Sequence, residues 1–425
     1  MESMYMFVII IALVCGFGFF NEKVTKLTYE ISLMLFSIVV GIVLVVLSTV
    51  FSGTNIAETL DTSNFISIKE YLMEGVLCFM LFAGSCHMKL SDFKEMARQI
   101  TVLSFVCTLL GTCFYGFLFY GAGILLGINL SLPVCLMFGS IVAPTDPIAA
   151  TSILSKFGLP KKISFLIQGE SLFNDGVGVA LFVCFSGLVK GGNSDNVVMD
   201  IVTVMLREVL GAAVVGIAVT LICFLLFRFT KSKTLGIFAS LLAASGSYAL
   251  CELWNFSGAI ACVVCGIVFS ALRSKYSQND SPEKAELFDS FWETLDVLLN
   301  SLLYIMLGLT FVHVLQMEYI ILLSVIAIAA NLIARVASLS LSSLIIGKIP
   351  DGYNRRSFVE LFTWGGLRGG LSVALAVSTK GMVSDDIFFI ILGGTYAIVF
   401  FTTVIQGLTM KPVYNRISKR LAANQ

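Results

Sequence analysis

Charge is scarce in this chain. Its 425 residues hold 27 basic and 27 acidic side chains, 13% in all, and the formal net charge is zero. That balance gives no hint of nucleic-acid binding. Long polar connections are lacking too: no stretch between apolar blocks exceeds about 20 residues. This leaves no room for a soluble domain, and no GxxxxGK phosphate loop occurs, which excludes a nucleotide-driven motor and an appended enzyme. Segments of about ten residues with alternating polarity, the mark of a membrane β-barrel, are missing. The 11 cysteines show no framework spacing. Cys262 and Cys265 form a CxxC, but inside an apolar run, where free cysteine packs as a small hydrophobe. Only two histidines are present, His87 and His313, both at the ends of apolar blocks.

What the chain has is apolar length. Hydrophobic residues make up 57% of it and come in blocks of 17 or more, long enough for a helix to cross a hydrocarbon core of ~30 Å. The pattern predicts an all-α membrane protein of thirteen transmembrane helices in one polytopic domain, residues 1–425. The spans are Met4–Phe20, Ile31–Val50, Tyr71–Met88, Ile100–Leu126, Leu132–Leu154, Ile163–Val189, Ile201–Phe227, Leu235–Trp254, Phe256–Leu272, Leu295–Leu315, Tyr319–Ile346, Phe358–Val377 and Ile387–Leu408. The first block has no basic residue before it and reads as a retained span rather than a signal peptide. Basic residues test the count. Of the 27, 21 fall in the connections after odd-numbered spans and in the C-terminal tail. Only Lys69, Lys190 and Lys380 lie on the other side, and Arg207, Arg335 and Arg368 lie within spans. By the positive-inside rule the C-terminus is cytoplasmic and the N-terminus outside.

Ionisable groups inside a bilayer cost roughly 2.5–3.5 kcal/mol on insertion scales, so those that occur there are functional candidates by default. The fifth span contains Ala143-Pro144-Thr145-Asp146-Pro147. Two prolines remove backbone donors and disfavour helix before them, so this span should be broken near its middle. Freed carbonyls and the Asp146 carboxylate are hard oxygen ligands suited to hard cations. Asp146 could equally cap the second half-helix, and the two roles are compatible. In the sixth span, Gln168-Gly169-Glu170-Ser171-Leu172-Phe173-Asn174-Asp175 places Glu170 with Asn174, and Ser171 with Asp175, on two adjoining faces. The eleventh span carries Asn331 and Arg335. A buried arginine needs an anionic partner, and Glu170 is a candidate, with Asn174 bridging. In the twelfth, Trp364-Gly365-Gly366-Leu367-Arg368-Gly369-Gly370 surrounds one arginine with four glycines. These weaken the helix and permit close backbone approach, although close packing through small residues is a competing reason for them.

The broken fifth span and the glycine-rich twelfth are seven spans apart. They are equivalent members if residues 4–189 and 235–408 are repeats linked by the span 201–227, and an odd separation makes those repeats inverted. A pair of interrupted helices at matching places in two halves points to a transporter's midplane site. Arg368 can offset the half-helix ends of partial negative charge, and Asp146 the positive ones. Glu74, Glu360, Arg207, Glu208, Glu293 and Asp296 lie near span ends and carry less weight.

At these residues the sequence resembles the monovalent cation/proton antiporters, specifically sodium/proton exchangers of the NhaP type. The stretches that carry the resemblance are Gly139–Thr151, Gly169–Ala180 and Trp364–Ala374, with weaker ones at Leu81–Leu90 and Phe291–Leu309. The resemblance implies two crossed discontinuous helices, spans five and twelve, in a core bundle beside a dimerisation bundle, hence a homodimer. It implies a cation held by Asp175, Asp146, the Ser171 hydroxyl and the Thr145 backbone carbonyl, with Glu170 either a ligand or paired to Arg335 through Asn174. The Asn174-Asp175 pair is similar to that of the electroneutral branch, one cation for one proton. No long regulatory tail of the kind some relatives carry is expected.

The expectation is a secondary antiporter and not an enzyme. It exchanges a monovalent cation for protons in a plasma membrane and serves pH homeostasis. Sodium is the expected cation, with lithium or potassium as alternatives, and no cofactor is needed beyond the transported ions. Asp175 and Asp146 would bind either the proton or the cation. If the empty, doubly charged site cannot cross, exchange is obligatory. Channels are disfavoured because no TVGYG-like filter occurs. A proton- or sodium-coupled solute symporter is the alternative and would need a larger pocket. A hydrolytic triad of Ser171, His87 and Asp175 is disfavoured by the position of His87 at a span end.

Overall fold

A computed structural model of the protein describes residues 2–50, 75–147, 150, 151, 154, 157–191, 197–276, 282–314 and 320–423. Lys69, Glu74 and Lys156 lie outside the described residues. Among those described, the chain is helical and nine helices are long and apolar enough to cross a membrane. In chain order the helices are α1 Glu2–Phe20, α2 Tyr29–Val50, α3 Leu77–Cys86, α4 Leu90–Leu126, α5 Leu132–Val142, α6 Lys161–Val189, α7 Val197–Phe229 and α8 Lys233–Leu253. They continue with α9 Gly258–Tyr276, α10 Pro282–Val314, α11 Ile320–Ile346, α12 Arg355–Trp364, α13 Gly370–Ser378, α14 Asp385–Phe400 and α15 Gly407–Ala423.

Two helices outrun the spans expected from hydropathy. The span expected from Ile100 is the second part of α4, whose first turns carry Asp92, Lys94, Glu95 and Arg98 and form a strongly amphipathic segment. Helix α14 runs through a π-helical stretch, Phe401–Gln406, into the charged α15, where Arg420 pairs with Glu360 at 2.7 Å. Hydropathy marks the part of a helix that lies in hydrocarbon, while backbone hydrogen bonds carry the helix beyond it.

Two other spans are interrupted as their sequences require. Helix α5 stops at Val142, just before the restricted Ala143 and Pro144, and the chain stays non-helical to Asp146. The twelfth expected span is α12 and α13, separated by non-helical backbone at 366–369. Gly369 is fully extended there, with φ −121° and ψ −163°, and leads into α13.

The helices pack in two groups. One holds α4, α5, α6 and α11 to α14, and in it α5 lies between α4 and α6 while α11 touches α4, α12 and α14. The other holds α1 to α3 and α7 to α10, with α10 along α2 and α3 and with α9 against α3, α7 and α8. Aromatic residues fill the interior of the second group, where Phe82, Phe227, Phe269, Phe288 and Trp292 are buried together. Their polar neighbours are satisfied. The Trp292 indole N–H donates to Ser240 Oγ at 3.1 Å, and Lys284 Nζ donates to the Phe227 carbonyl at 2.7 Å. Helices α3 and α10 of this group face α5, α6 and α13 of the other across a seam that contains a cavity.

Candidate ion-binding site

The two interruptions cross and complete each other. The Asp146 N–H donates to the Leu367 carbonyl at 2.8 Å, so each unwound segment finds a backbone partner in the other. The Arg368 side chain donates in return to the Ala143 carbonyl and, at 2.9 Å, to the Pro144 carbonyl. These are the acceptors left over where α5 ends, and a guanidinium there opposes the partial negative charge of the helix terminus. Arg368 is held from behind by Asn331 Oδ1 at 3.2 Å, while its own backbone bonds Thr402 and Thr403. At the other end of the crossing, Asp146 lies against the start of α13. A Cβ on Gly369 would stand 2.9 Å from Asp146 Oδ2. The glycine therefore lets a carboxylate come up to a helix N-terminus, where negative charge is favoured.

Helix α6 supplies the second half of the site. Asn174 grips the unwound residue Thr145 on both sides: its Nδ2 donates to Thr145 Oγ1 at 2.8 Å and its Oδ1 accepts from the Thr145 N–H at 3.2 Å. Ser171 Oγ joins at 2.8 Å from Thr145 Oγ1. Ser171, Asn174, Thr145 and Asp146 thus form one connected group. Asn174 faces Thr145 rather than bridging Glu170 to Arg335. That pair needs no bridge, because Arg335 Nη1 stands 2.6 Å from Glu170 Oε1 and the two side chains are 6% and 2% exposed. Arg335 also donates to the Phe362 carbonyl at 3.2 Å and packs over Gly366, where a Cβ would meet its Nε at 2.9 Å. Of the two roles left open for Glu170 by the sequence, the geometry has it paired.

Asp146 and Asp175 line the same cavity, of about 80 Å³, which Glu170 and Arg335 do not reach. Among the described residues that line it there is no Lys, Arg or His. Asp175 accepts no hydrogen bond from any described side chain. A wider funnel of about 690 Å³ adjoins the cavity and shares Gly84, Pro147, Leu172 and Asp296 with it. The funnel is walled by the end of α3 at His87, the start of α6 at Ser164 and Gln168, and the first turns of α10 at Asp289 and Glu293. All three helix ends adjoin the basic connections. Asp289 is neutralised there by Arg273 at 2.7 Å.

Helix α10 contributes residues to which sequence reasoning gave little or no individual weight. Tyr304 is buried and its hydroxyl donates to Asp146 Oδ2 at 2.5 Å. Asn300 and Asp296 also line the cavity. The available signal was their spacing, since positions 296, 300 and 304 share one helix face. Asn331, noted in the sequence without an assigned partner, supports Arg368.

Comparison with known proteins identifies the family. Residues 9–416 match the model of the family described as sodium/hydrogen exchanger, transmembrane. The chain is 31% identical to the Na(+)/H(+) antiporter NhaP of Pseudomonas aeruginosa, over 96% of its own length and 95% of the relative's. It is 29% identical to the Na(+)/H(+) antiporter NhaH of Halobacillus aidingensis, over 89% and 91%. The fold is similar to the solved structure of the sodium proton antiporter MjNhaP1 from Methanocaldococcus jannaschii, with a TM-score of 0.75, 21% identity, and coverage of 98% of this chain and 99% of that one. On these grounds this multi-pass membrane protein belongs to the sodium/hydrogen exchanger family.

Proposed function

We propose that the protein is a secondary antiporter exchanging a monovalent cation, sodium foremost, for a proton at Asp146 and Asp175. One observation carries the reading: Asp146 and Asp175 share a small cavity at the crossing of two broken helices. Two carboxylates facing one small buried cavity repel each other, and a proton or a metal cation between them offsets that repulsion. Ser171 and Thr145, with its backbone carbonyl, complete a set of hard oxygen donors suited to an alkali cation. Asn174 shapes this set by holding Thr145. Arg368 balances the half-helix end, and Glu170 with Arg335 braces α6 against α11. The cavity, of about 80 Å³, has room for an ion and a few waters.

The cavity lies at the seam between the two helix groups, and a rocking of one group against the other would expose it alternately to the two sides. In this reading the described helices belong to thirteen crossings arranged as inverted repeats, 4–189 and 235–408. The group of α1–α3 and α7–α10 is the dimerisation bundle of a homodimer, and the basic connections face the cytoplasm of a plasma membrane. The funnel then opens inward. One proton for one cation is the stoichiometry suggested by the similarity of the Asn174-Asp175 pair to that of the electroneutral branch.

The test uses purified protein in proteoliposomes with an imposed pH gradient. Addition of sodium, lithium or potassium salt is expected to collapse the gradient in wild type, independently of membrane potential, and to do nothing in Asp175→Asn. No collapse with any of the three cations, in vesicles where another exchanger responds, refutes the reading. A potential-dependent collapse refutes its electroneutral form.

A further inference from the structure

Three polar residues follow one face of α10. Asp296, Asn300 and Tyr304 are spaced by four, so they form a stripe along the seam. The stripe has a deep end and a shallow end. Tyr304 reaches Asp146 at 2.5 Å, whereas Asp296 lines both the small cavity and the wide funnel. Asn300 lies between them and is only 4% exposed. Its Nδ2 donates to the Asp296 carbonyl at 2.8 Å and to Asp296 Oδ1 at 3.0 Å. Both partners are acceptors only, so the orientation of the amide is set and Oδ1 points away from them. Among the described residues that oxygen has no hydrogen-bond partner, although it is buried. A buried amide oxygen without a donor is costly, and one lining a cavity beside a carboxylate marks a place where a ligand supplies the missing partner.

Carboxylate and amide oxygens are donors for a hard cation. The carboxylate count keeps the charge low, which suits a monovalent rather than a divalent ion. Asp296 is not a further ligand of the deep site, because among the described residues no three His, Cys, Asp or Glu side chains are placed to hold one ion together. Nor is it neutralised as its neighbour is, since Arg273 serves Asp289. We propose that Asp296 and Asn300 form an outer station for a partly hydrated monovalent cation, on the path between the funnel and the Asp146–Asp175 site. The station stands on the opposite helix group from Asp175, so an ion moving inward is handed across the seam. It loses water in two steps rather than one, which lowers the barrier to reaching a buried site. The function of this station rests on the exchange reading above; its existence as a binding site does not.

Equilibrium binding of radioactive sodium to the purified full-length protein in detergent separates the two. Asp175→Asn protein is expected to retain a component weaker than wild type by about tenfold, lost in Asp175→Asn/Asp296→Asn and restored in Asp175→Asn/Asp296→Glu. No residual component in Asp175→Asn, or one indifferent to Asp296→Asn, overturns the proposal. In oriented membrane vesicles Asp296→Asn alone is expected to raise the sodium KM about fivefold on the funnel side only, with little change in maximal rate. An equal change on both faces, or none on either, also overturns it. Failure of the exchange reading looks different: wild type itself moves no protons in response to sodium, whatever Asp296 does to binding.

Discussion

Glu170 and Asp175 stand on the same helix, little more than one turn apart, and their surroundings differ in kind. Glu170 is 2% exposed and lies 2.6 Å from a guanidinium that has its own carbonyl partner. Asp175 faces a cavity beside a second carboxylate, with no basic side chain in the described lining. One acid has its counter-charge built into the chain, and the other has none among the described residues that line its cavity. A built-in counter-ion cannot be exchanged, so Glu170 and Arg335 are placed to hold α6 and α11 in register. An acid that relies on outside charge responds to what the solution offers, and this is what an exchanger requires of its binding site. The same division recurs between the two broken spans. Arg368 permanently satisfies the carbonyl end of α5, while Asp146 lies at the N-terminal end of α13 and also faces the cavity.

The comparison breaks most visibly if the two acids are neutralised in turn. Asp175→Asn is expected to abolish exchange without loss of thermal stability in detergent, because it removes a charge that no described side chain of the cavity lining balances. Glu170→Gln and Arg335→Met are each expected to destabilise the protein by about 3–5 kcal/mol, since each strands its partner in the interior. The double variant should recover a large part of that cost, giving a clear coupling in the cycle. Additive single costs would mean that the pair does not act as a pair. A Glu170→Gln protein of unchanged stability but altered cation preference would move Glu170 into the binding site.

A smaller effect is expected from Gly369→Ala. The added methyl would stand 2.9 Å from Asp146 Oδ2, closer than real contacts allow. The carboxylate must shift or the unwound segment must open. Displacement of a binding group by a fraction of an ångström is expected to raise the cation KM about tenfold, with stability changing far less than in the Arg335 variant. Equal KM values in variant and wild type would show that Asp146 has room to spare and that Gly369 serves only the packing of α13.

How much of this was legible beforehand follows from the range over which each residue acts. Pro144, Pro147 and the glycines of 365–370 change their own backbone, so both helix breaks could be placed from sequence alone. Asp146, Asp175 and Arg368 stood out because charge is rare in hydrocarbon. Asn174 was less legible. It shares a face with Glu170, but only the crossing brings Thr145 within reach of its amide. Asn331 had no assigned partner in the sequence, and only the packing of α11 against the second break brings it to Arg368. Tyr304 and Asn300 were invisible for a related reason: an amide and a phenol are unremarkable on an apolar helix until a second helix group places Asp146 opposite them. Local backbone chemistry is written in adjacent residues, whereas the lining of a seam depends on how two groups of helices meet.

The finest distinction concerns Tyr304, which reaches a deep carboxylate from α10. Its hydroxyl donates to Asp146 Oδ2 and so stabilises the carboxylate when no ion is bound. A hydrogen bond to a charged group is worth about 1.5–3 kcal/mol, less what water recovers in a cavity open to the funnel. The donor competes with any cation that takes its place. Tyr304→Phe keeps the ring and removes only the hydroxyl. Its sodium KM is therefore expected to fall about threefold, and its maximal rate to fall with it as release slows. If KM rises instead, the hydroxyl oxygen is a ligand of the bound ion and Tyr304 belongs with Ser171. The comparison would then gain a member from the opposite helix group, and closing the seam would itself complete the coordination of the ion.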